Sequence, residues 1–307
     1  MSGLIGDWTE AKIAAFGSRT LAFCHSLHTR PMFADEALIE VLDRYPRERL
    51  GVFTMGEDLV DWTSWRRGEA DSLTGEDLLA AVKAGRLWLN LRNADTYLPE
   101  YEALCAEIAA DKEAHVPGLR TFRRDLGLLI SSPGAQVFYH LDVPLTSLWH
   151  VRGGKRIWFY PRAEPFVSDE QIERFVRQEA EGQFPFQPAW DAAAQMLQLT
   201  PGDMVTWAQN VPHRVANGPM MNVSVSLEYM TPPAALRANV IYANGLLRRR
   251  LGVRPKVQER IGPAALAKVA LARGIKAARG RRAYKPILPA SFSLDPARPG
   301  VLQPPRG

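Results

Sequence analysis

Hydrophobic and polar residues alternate with a period of two through much of the middle of this chain. The clearest runs are Gln136–His140, Ser147–Arg152, Lys155–Tyr160, Leu197–Trp207 and Asn222–Tyr229. Such alternation places successive side chains on opposite faces of a strand, so residues 119–236 read as a β-rich core. Gly153-Gly154 separates two of these runs and predicts a two-residue hairpin, because glycine supplies the positive φ that such a turn requires. Thr200-Pro201-Gly202 predicts a turn between two further strands. Helical periodicity is found instead in Asp35–Leu42, Thr74–Val82 and Leu98–Lys112, the first two with acidic first turns that suit the positive end of a helix. With the alternating run Arg86–Leu91, they make residues 1–118 a mixed α/β lead-in that braces the core. Residues 168–196 begin helically, are broken by Phe184-Pro185-Phe186-Gln187-Pro188, and read as an insert suited to covering a substrate.

Residues 237–307 form a third region. Val240–Leu247 and Pro263–Arg279 look helical, the latter with Leu266, Val269, Ala270 and Ile275 available for one face, and six prolines from Pro286 onward predict an extended, frayed end. Charge sets this region apart. From Arg237 onward sixteen Lys and Arg stand against Glu259 and Asp295, a balance of +14, whereas the preceding 236 residues carry −9, for the net +5 of the chain. The plainest reading is a docked helix with a solvated basic face. The sharper readings are attraction to an anionic partner (nucleic acid, acidic protein or membrane surface) or formation of a homodimer through the helices.

Length and composition change the picture little. A chain of 307 residues with 46% hydrophobic content can bury a sizeable core. Met1–Trp8 has neither a basic n-region nor an apolar h-region, and no stretch approaches the length of a membrane span, which predicts a cytoplasmic protein. Cys24 and Cys105 are isolated, which argues against a disulfide framework or a cysteine-based zinc site.

The candidate chemistry lies in Tyr139-His140-Leu141-Asp142. His140 and Asp142 are two apart at the end of a strand-like run, so they share a face and can share a metal ion. His213, after Pro212, is the expected third ligand. Two imidazoles and one carboxylate on one side of a metal leave adjacent positions open and suit non-haem Fe(II). Lys155 begins a strand with Ile157 and Phe159 on its own face, so its ammonium is expected to point into an apolar interior, where it needs an anion. His150 falls on the Lys155 side as a wall of that pocket. Arg156 falls on the opposite face, as do Trp149, Trp158 and Tyr160, which are expected to lie beneath a helical layer.

His-x-Asp, a lysine fifteen residues past His140 within Gly-Gly-Lys-Arg, an aromatic strand ending in Tyr160-Pro161, Pro201-Gly202-Asp203 and a distal Pro212-His213 together resemble the JmjC (jumonji-type) oxygenases over about residues 120–232. The resemblance implies a mainly β double-stranded β-helix, or cupin barrel, with helical additions. It implies His140, Asp142 and His213 as Fe(II) ligands and metal-centred catalytic residues. 2-Oxoglutarate would chelate the iron and be gripped at its far carboxylate by Lys155, with O2 at the remaining position and succinate and CO2 as products. Thr146 and Ser226 stand where the family often places polar groups near the co-substrate. Val137 departs from the pattern, since some relatives carry a hydroxyl donor to the far carboxylate there; Ser132, Tyr139 and Thr206 are unranked candidates for that contact. By family analogy the substrate is a protein or peptide side chain. A small-molecule hydroxylase, an N-demethylase, and a non-catalytic cupin that binds through its basic segment are the alternatives, and a non-oxidative metal isomerase is disfavoured by the few histidines.

Overall fold

The computed structural model describes residues 3–70, 73–179, 184–255, 262–279 and 288–305. Its strands are β1 (Leu21–Cys24), β2 (Gly51–Thr54), β3 (Arg66–Glu69), β4 (Leu87–Leu91), β5 (Phe122–Ser131), β6 (Gln136–His140), β7 (Leu145–Arg152), β8 (Lys155–Phe159), β9 (Gln195–Leu199), β10 (Asp203–Trp207), β11 (His213–Asn217), β12 (Asn222–Met230), β13 (Ala290–Leu294) and β14 (Leu302–Gln303). Among the described residues they form a ten-stranded sheet, in the order β1-β10-β7-β12-β5-β4-β2-β3-β13-β14, and a four-stranded sheet, in the order β6-β11-β8-β9.

From β5 to β12 the chain moves between the two sheets. β5, β7, β10 and β12 belong to the large sheet, and β6, β8, β9 and β11 to the small one. The expected Gly153-Gly154 hairpin is therefore absent: β7 pairs with β10 and β12, and β8 with β9 and β11. The glycines instead make the corner at which the chain leaves one sheet for the other. Gly153 has φ +88°, and a Cβ on it would come within 2.6 Å of the Met221 carbonyl oxygen, so both the turn and the close approach demand glycine. A Gly-Gly corner between sheets and a hairpin turn ask for the same backbone freedom, which is why alternation alone could not separate them.

The sheets face each other across Phe138, Ile157, Phe159 and Val215 from the small sheet and Leu129, Leu148, Val205 and Trp207 from the large one. The outer face of the large sheet presents Leu126, Leu128, Ile130, Val223, Val225 and Leu227 to the lead-in. That layer holds the helices Asp35–Arg44, Gly75–Ala84 and Pro99–His115. Thr74 and Asp77 form a reciprocal capping box at the start of the second, and Pro99 occupies the first turn of the third. Each fully buried aliphatic side chain in this layer contributes about 1.5–3 kcal/mol. The lead-in also supplies β1 to one side of the large sheet and β2, β3 and β4 to the other, so it is continuous with the core sheet as well as packed on it.

Two expectations change here. The end of the chain is not frayed throughout: β13 pairs in parallel with β3, β14 pairs with β13, and Phe292 and Leu294 are buried. The described part of the 168–196 insert covers the outside of the small sheet. There Phe184, Phe186 and Trp190 join Tyr139 and Tyr160 in an aromatic cluster. Arg248 and Arg249 of the helix Pro232–Leu251 pair with Glu173 and Glu179 of the insert, which consumes part of the basic run. The helix Pro263–Arg279 buries Ala265, Val269 and Ala272 on that helix, while Leu266 and Ala270 face solvent. Trp149 lies outside the large sheet and Trp158 and Tyr160 outside the small one, so the three outward aromatics are divided between two layers.

Candidate active site

His140 is the last residue of β6 and His213 the first of β11, and the two are direct cross-strand partners. Their ring centroids are 4.0 Å apart. Asp142, two residues beyond β6, brings Oδ2 to 3.5 Å from His213 Nε2. One donor atom from each of the three residues can be chosen so that all lie within 4.8 Å of one another. His140 Nδ1 lies 2.7 Å from the Phe138 carbonyl oxygen, and His213 Nδ1 lies 3.0 Å from that of Val211. A carbonyl can only accept, so each Nδ1 carries the proton and donates it, which leaves both Nε2 lone pairs free for a metal. Burial, reinforced by the neighbouring His140 and opposed by Asp142, pushes the His213 imidazole down to about 4, so the ring is neutral at pH 7. This donor set fits Fe(II): two imidazoles and a carboxylate arranged on one side.

The loops behind the triad are tied together. Thr146 Oγ1 donates to Asp142 Oδ2 at 3.3 Å. Asn210, at φ +62°, donates from Nδ2 to the Asp142 carbonyl oxygen at 2.8 Å, and Gln209 Nε2 donates to that of Val143 at 2.6 Å. Asparagine is among the residues best able to adopt this left-handed backbone. Neither brace carries a signal in the sequence, because neither touches the metal position. Arg92 is silent in the sequence for the same reason; it joins Asp125 at 2.8 Å and Glu228 at 3.1 Å beside Thr146, which is paired with Glu228 in register.

At the other end of the interior lies Lys155, wholly buried. Its Nζ is 3.0 Å from Ser224 Oγ and 5.0 Å from the centroid of the Trp88 ring. Burial alone pushes the ammonium down to about 7, with no carboxylate among the described residues beside it to oppose the effect. His150 also faces this end: its Nδ1 is 3.1 Å from Ser224 Oγ, and burial, then the nearby Lys155, hold its imidazole down to about 3. Burial of an ammonium is costly unless an anion or hydrogen-bond acceptors offset it, and here the acceptor is the Ser224 hydroxyl.

Ser226 lies two residues from Ser224 on β12, on the same inward face, opposite Gly127. Among the described residues, the side chain within hydrogen-bonding reach of Lys155 Nζ is Ser224, to which no motif in the sequence points. None of the three candidates for the missing hydroxyl contact faces this end. Ser132 Oγ donates to the Val82 carbonyl and accepts from Leu87 N, Tyr139 OH donates to the Phe166 carbonyl outside the small sheet, and Thr206 Oγ1 donates to the Thr146 carbonyl. Arg156 is exposed on the outer face, as expected.

No family model and no curated protein matches this sequence. Solved structures do match. Escherichia coli YcfD aligns over 92% of this chain and 70% of its own, at 15% identity and a TM-score of 0.53. A cobalt and 2-oxoglutarate complex of YcfD, a ribosomal oxygenase from Escherichia coli, aligns over 84% of this chain and 63% of its own, at 17% identity and a TM-score of 0.46. SnoK, a non-heme alpha-ketoglutarate-dependent carbocyclase from nogalamycin biosynthesis, covers 73% of this chain and 84% of its own, at 14% identity and a TM-score of 0.45. The likeness to YcfD establishes a shared fold, so the resemblance read in the sequence holds at the level of fold. Among the described residues, no helix is long and apolar enough to cross a membrane.

Proposed function

We propose that this chain is an Fe(II)- and 2-oxoglutarate-dependent oxygenase built on a double-stranded β-helix of strands β5 to β12, within residues 119–236. The observation that carries the proposal is a pair of complementary sites in one interior: a triad with both Nε2 lone pairs free, and a buried Lys155 with no carboxylate beside it among the described residues. His140, Asp142 and His213 would hold the iron, and Lys155 the far carboxylate of the co-substrate. With both bound, the iron would supply O2 activation coupled to decarboxylation, so that 2-oxoglutarate, O2 and a substrate C–H bond yield succinate, CO2 and a C–OH group.

The chain's own residues do the positioning. The Phe138 and Val211 carbonyls fix the imidazole tautomers, Asn210 and Gln209 hold the Asp142 loop, and Trp207, whose ring centroid is 4.7 Å from that of His213, helps to keep the ligand ring in place and water away. Thr146 steadies the carboxylate, and Ser226 lines the interior between the two ends. YcfD, which shares the fold, is called a ribosomal oxygenase, and this supports a protein or peptide side chain as the substrate here. Among the described residues, β1 to β4 and β13 to β14 extend the large sheet, the lead-in helices cover its outer face, and the helix Pro232–Leu251 packs against the insert. An anionic partner would have to be drawn by the cations left facing solvent, such as Arg250, Arg254 and Arg273.

The test is to supply Fe(II), 2-oxoglutarate, ascorbate and air without substrate and to follow succinate. Slow succinate formation that requires His140, Asp142, His213 and Lys155 is expected. Metal-dependent binding of 2-oxoglutarate with no succinate at any iron concentration would reject the oxygenase reading.

A further inference from the structure

A sheet edge left without a partner is a template for another chain, so folded proteins cover, shorten or charge their edge strands. Among the described residues the two sheets end in β1, β14, β6 and β9, and the first three are managed. Ile5 bridges His25 beside β1, where the Gly6 N–H donates to the Cys24 carbonyl and the Cys24 N–H to Asp7 Oδ1. β14 has only two residues, and on β6 the Tyr139 carbonyl accepts from the Phe184 N–H. β9 is different. Its sequence, Gln195-Met196-Leu197-Gln198-Leu199, contains no charge and no proline, and Gln195, Met196 and Gln198 are exposed. Among the described residues, its backbone bonds to β8 and to nothing else.

What lies beside that edge decides what fits there. β9 joins β10 through the turn at residues 200–202, and Leu197 and Leu199 pack in one cluster with Val205 and Trp207, so the small sheet ends over β10. The large sheet goes one strand further, to β1. Ala22 is the register partner of Val205, which faces the small sheet, and Cys24 shares the face of Ala22. Both are exposed, whereas Phe23, on the opposite face, is buried. The result is a shelf with a floor of small side chains and a wall of unpaired backbone groups.

A shelf one strand wide takes a single extended chain. A second copy of this protein that offered its own β9 would drive its overhanging β1 into the large sheet of the first. The lining residues Ala22, Cys24, Gln195, Met196 and Gln198 carry no charge, so a charged side chain brought among them would lose water and gain no counter-ion. Gln195 is the register partner of Phe159, and Phe159 that of His213, so one end of the shelf is level with the triad. A strand added to β9 would lie three strand spacings from β11, about 14 Å, a distance that about four extended residues can span.

Resting on the oxygenase reading above, we propose that this shelf docks an extended, uncharged segment of the substrate protein as an added strand on β9. Main-chain hydrogen bonds to β9 hold the segment, and its alternate side chains meet Ala22 and Cys24 on one face and Met196 on the other. The residue to be oxidised then lies about four or more positions along the chain from the docked segment.

Cys24 on the floor is a built-in reporter, since Cys105 is buried. The full chain is alkylated with iodoacetamide, with and without a short capped peptide of alternating threonine and valine, and modification of Cys24 is followed by mass spectrometry. The peptide is expected to slow alkylation about tenfold at roughly ten times its dissociation constant, because only the free fraction reacts. The same peptide methylated on every amide nitrogen keeps its side chains, loses its donors and should protect little. Ala22→Lys, which lays a long side chain on the exposed floor, should abolish protection and leave substrate-independent succinate formation at the wild-type rate. Unchanged alkylation of the wild-type protein up to the solubility limit of the peptide would overturn the inference, and so would equal protection by the methylated peptide. Should Ala22→Lys fail to fold, the comparison of the two peptides on the wild-type chain decides alone. A chain that shields Cys24 and never forms succinate loses the oxygenase reading, whereas one that forms succinate with Cys24 unshielded loses the shelf.

Discussion

The two ends of the interior are built on opposite principles. At the triad, each polar group that faces the metal position is already oriented by the protein: two backbone carbonyls hold the imidazoles, and Thr146 and Asn210 hold Asp142 through its side chain and its backbone. At the Lys155 end a cation is buried against a hydroxyl and an indole, and folding leaves its charge uncompensated. A preorganised site gives its ligand geometry, whereas an uncompensated one gains charge balance from it. The metal end should therefore fail abruptly when a ligand is lost, and the Lys155 end should fail by degrees.

The largest effect is expected at the triad. His213→Ala should abolish stoichiometric Fe(II) binding while the barrel stays folded, because the group removed is polar and borders the interior. Metal analysis with circular dichroism checks this, and full iron occupancy in the variant would show that the ligand lies elsewhere. Next, Lys155→Ala should weaken 2-oxoglutarate roughly ten- to a hundredfold, the value of a charge-assisted bond of about 1.5–3 kcal/mol, with little change in iron affinity. Lys155→Met, which keeps the length and loses the charge, should be equally poor in an anaerobic titration.

A smaller effect follows from pH. Burial lowers Lys155 to about 7 in the free protein, so above that value binding a dicarboxylate requires taking up a proton. Affinity for 2-oxoglutarate should be flat below about pH 7 and fall above it, approaching tenfold per pH unit, while pyruvate affinity changes less. His150, held near 3, stays neutral over this range and adds no second step. The sign for folding is the reverse. Between about 7 and the model-peptide value of 10.5 the unfolded chain binds more protons at this lysine, so the lysine's contribution to the stability of the ligand-free protein rises with pH in that window. Parallel pH profiles for the two 2-oxo acids would remove Lys155 from the account. The smallest effect belongs to Asn210→Ala, which unties the Asp142 loop and strains a left-handed backbone. A several-fold loss of Fe(II) affinity is expected, with an altered Co(II) absorption spectrum; an unchanged spectrum would make Asn210 merely structural.

How much of this was legible beforehand follows from what each signal encodes. The helices of the lead-in declare themselves through local chemistry, such as the capping box at Thr74 and Asp77, and local chemistry is what a sequence records best. His140, Asp142, His213 and Lys155 were legible because alternation fixes the face on which each stands. Depth between the sheets and choice of sheet were not. Ser224 and Ser226 share a face, and only the three-dimensional register sets Ser224 beside Lys155 and His150. Gly153-Gly154 reads as a hairpin because a corner between sheets needs the same backbone. The pairing of β13 with β3 joins residues more than 200 positions apart, and the Pro-rich composition around β13 argued against any strand there.

The central claim is that one interior holds a metal at one end and a dicarboxylate's second charge at the other. An anaerobic crystal of the full chain, soaked with Mn(II) and 2-oxoglutarate, tests it most directly. The account predicts one ion bound by His140, Asp142 and His213, chelated by the 2-oxo acid, whose far carboxylate meets Lys155. A metal bound by other residues, or a 2-oxoglutarate whose far carboxylate lies away from Lys155, would contradict it.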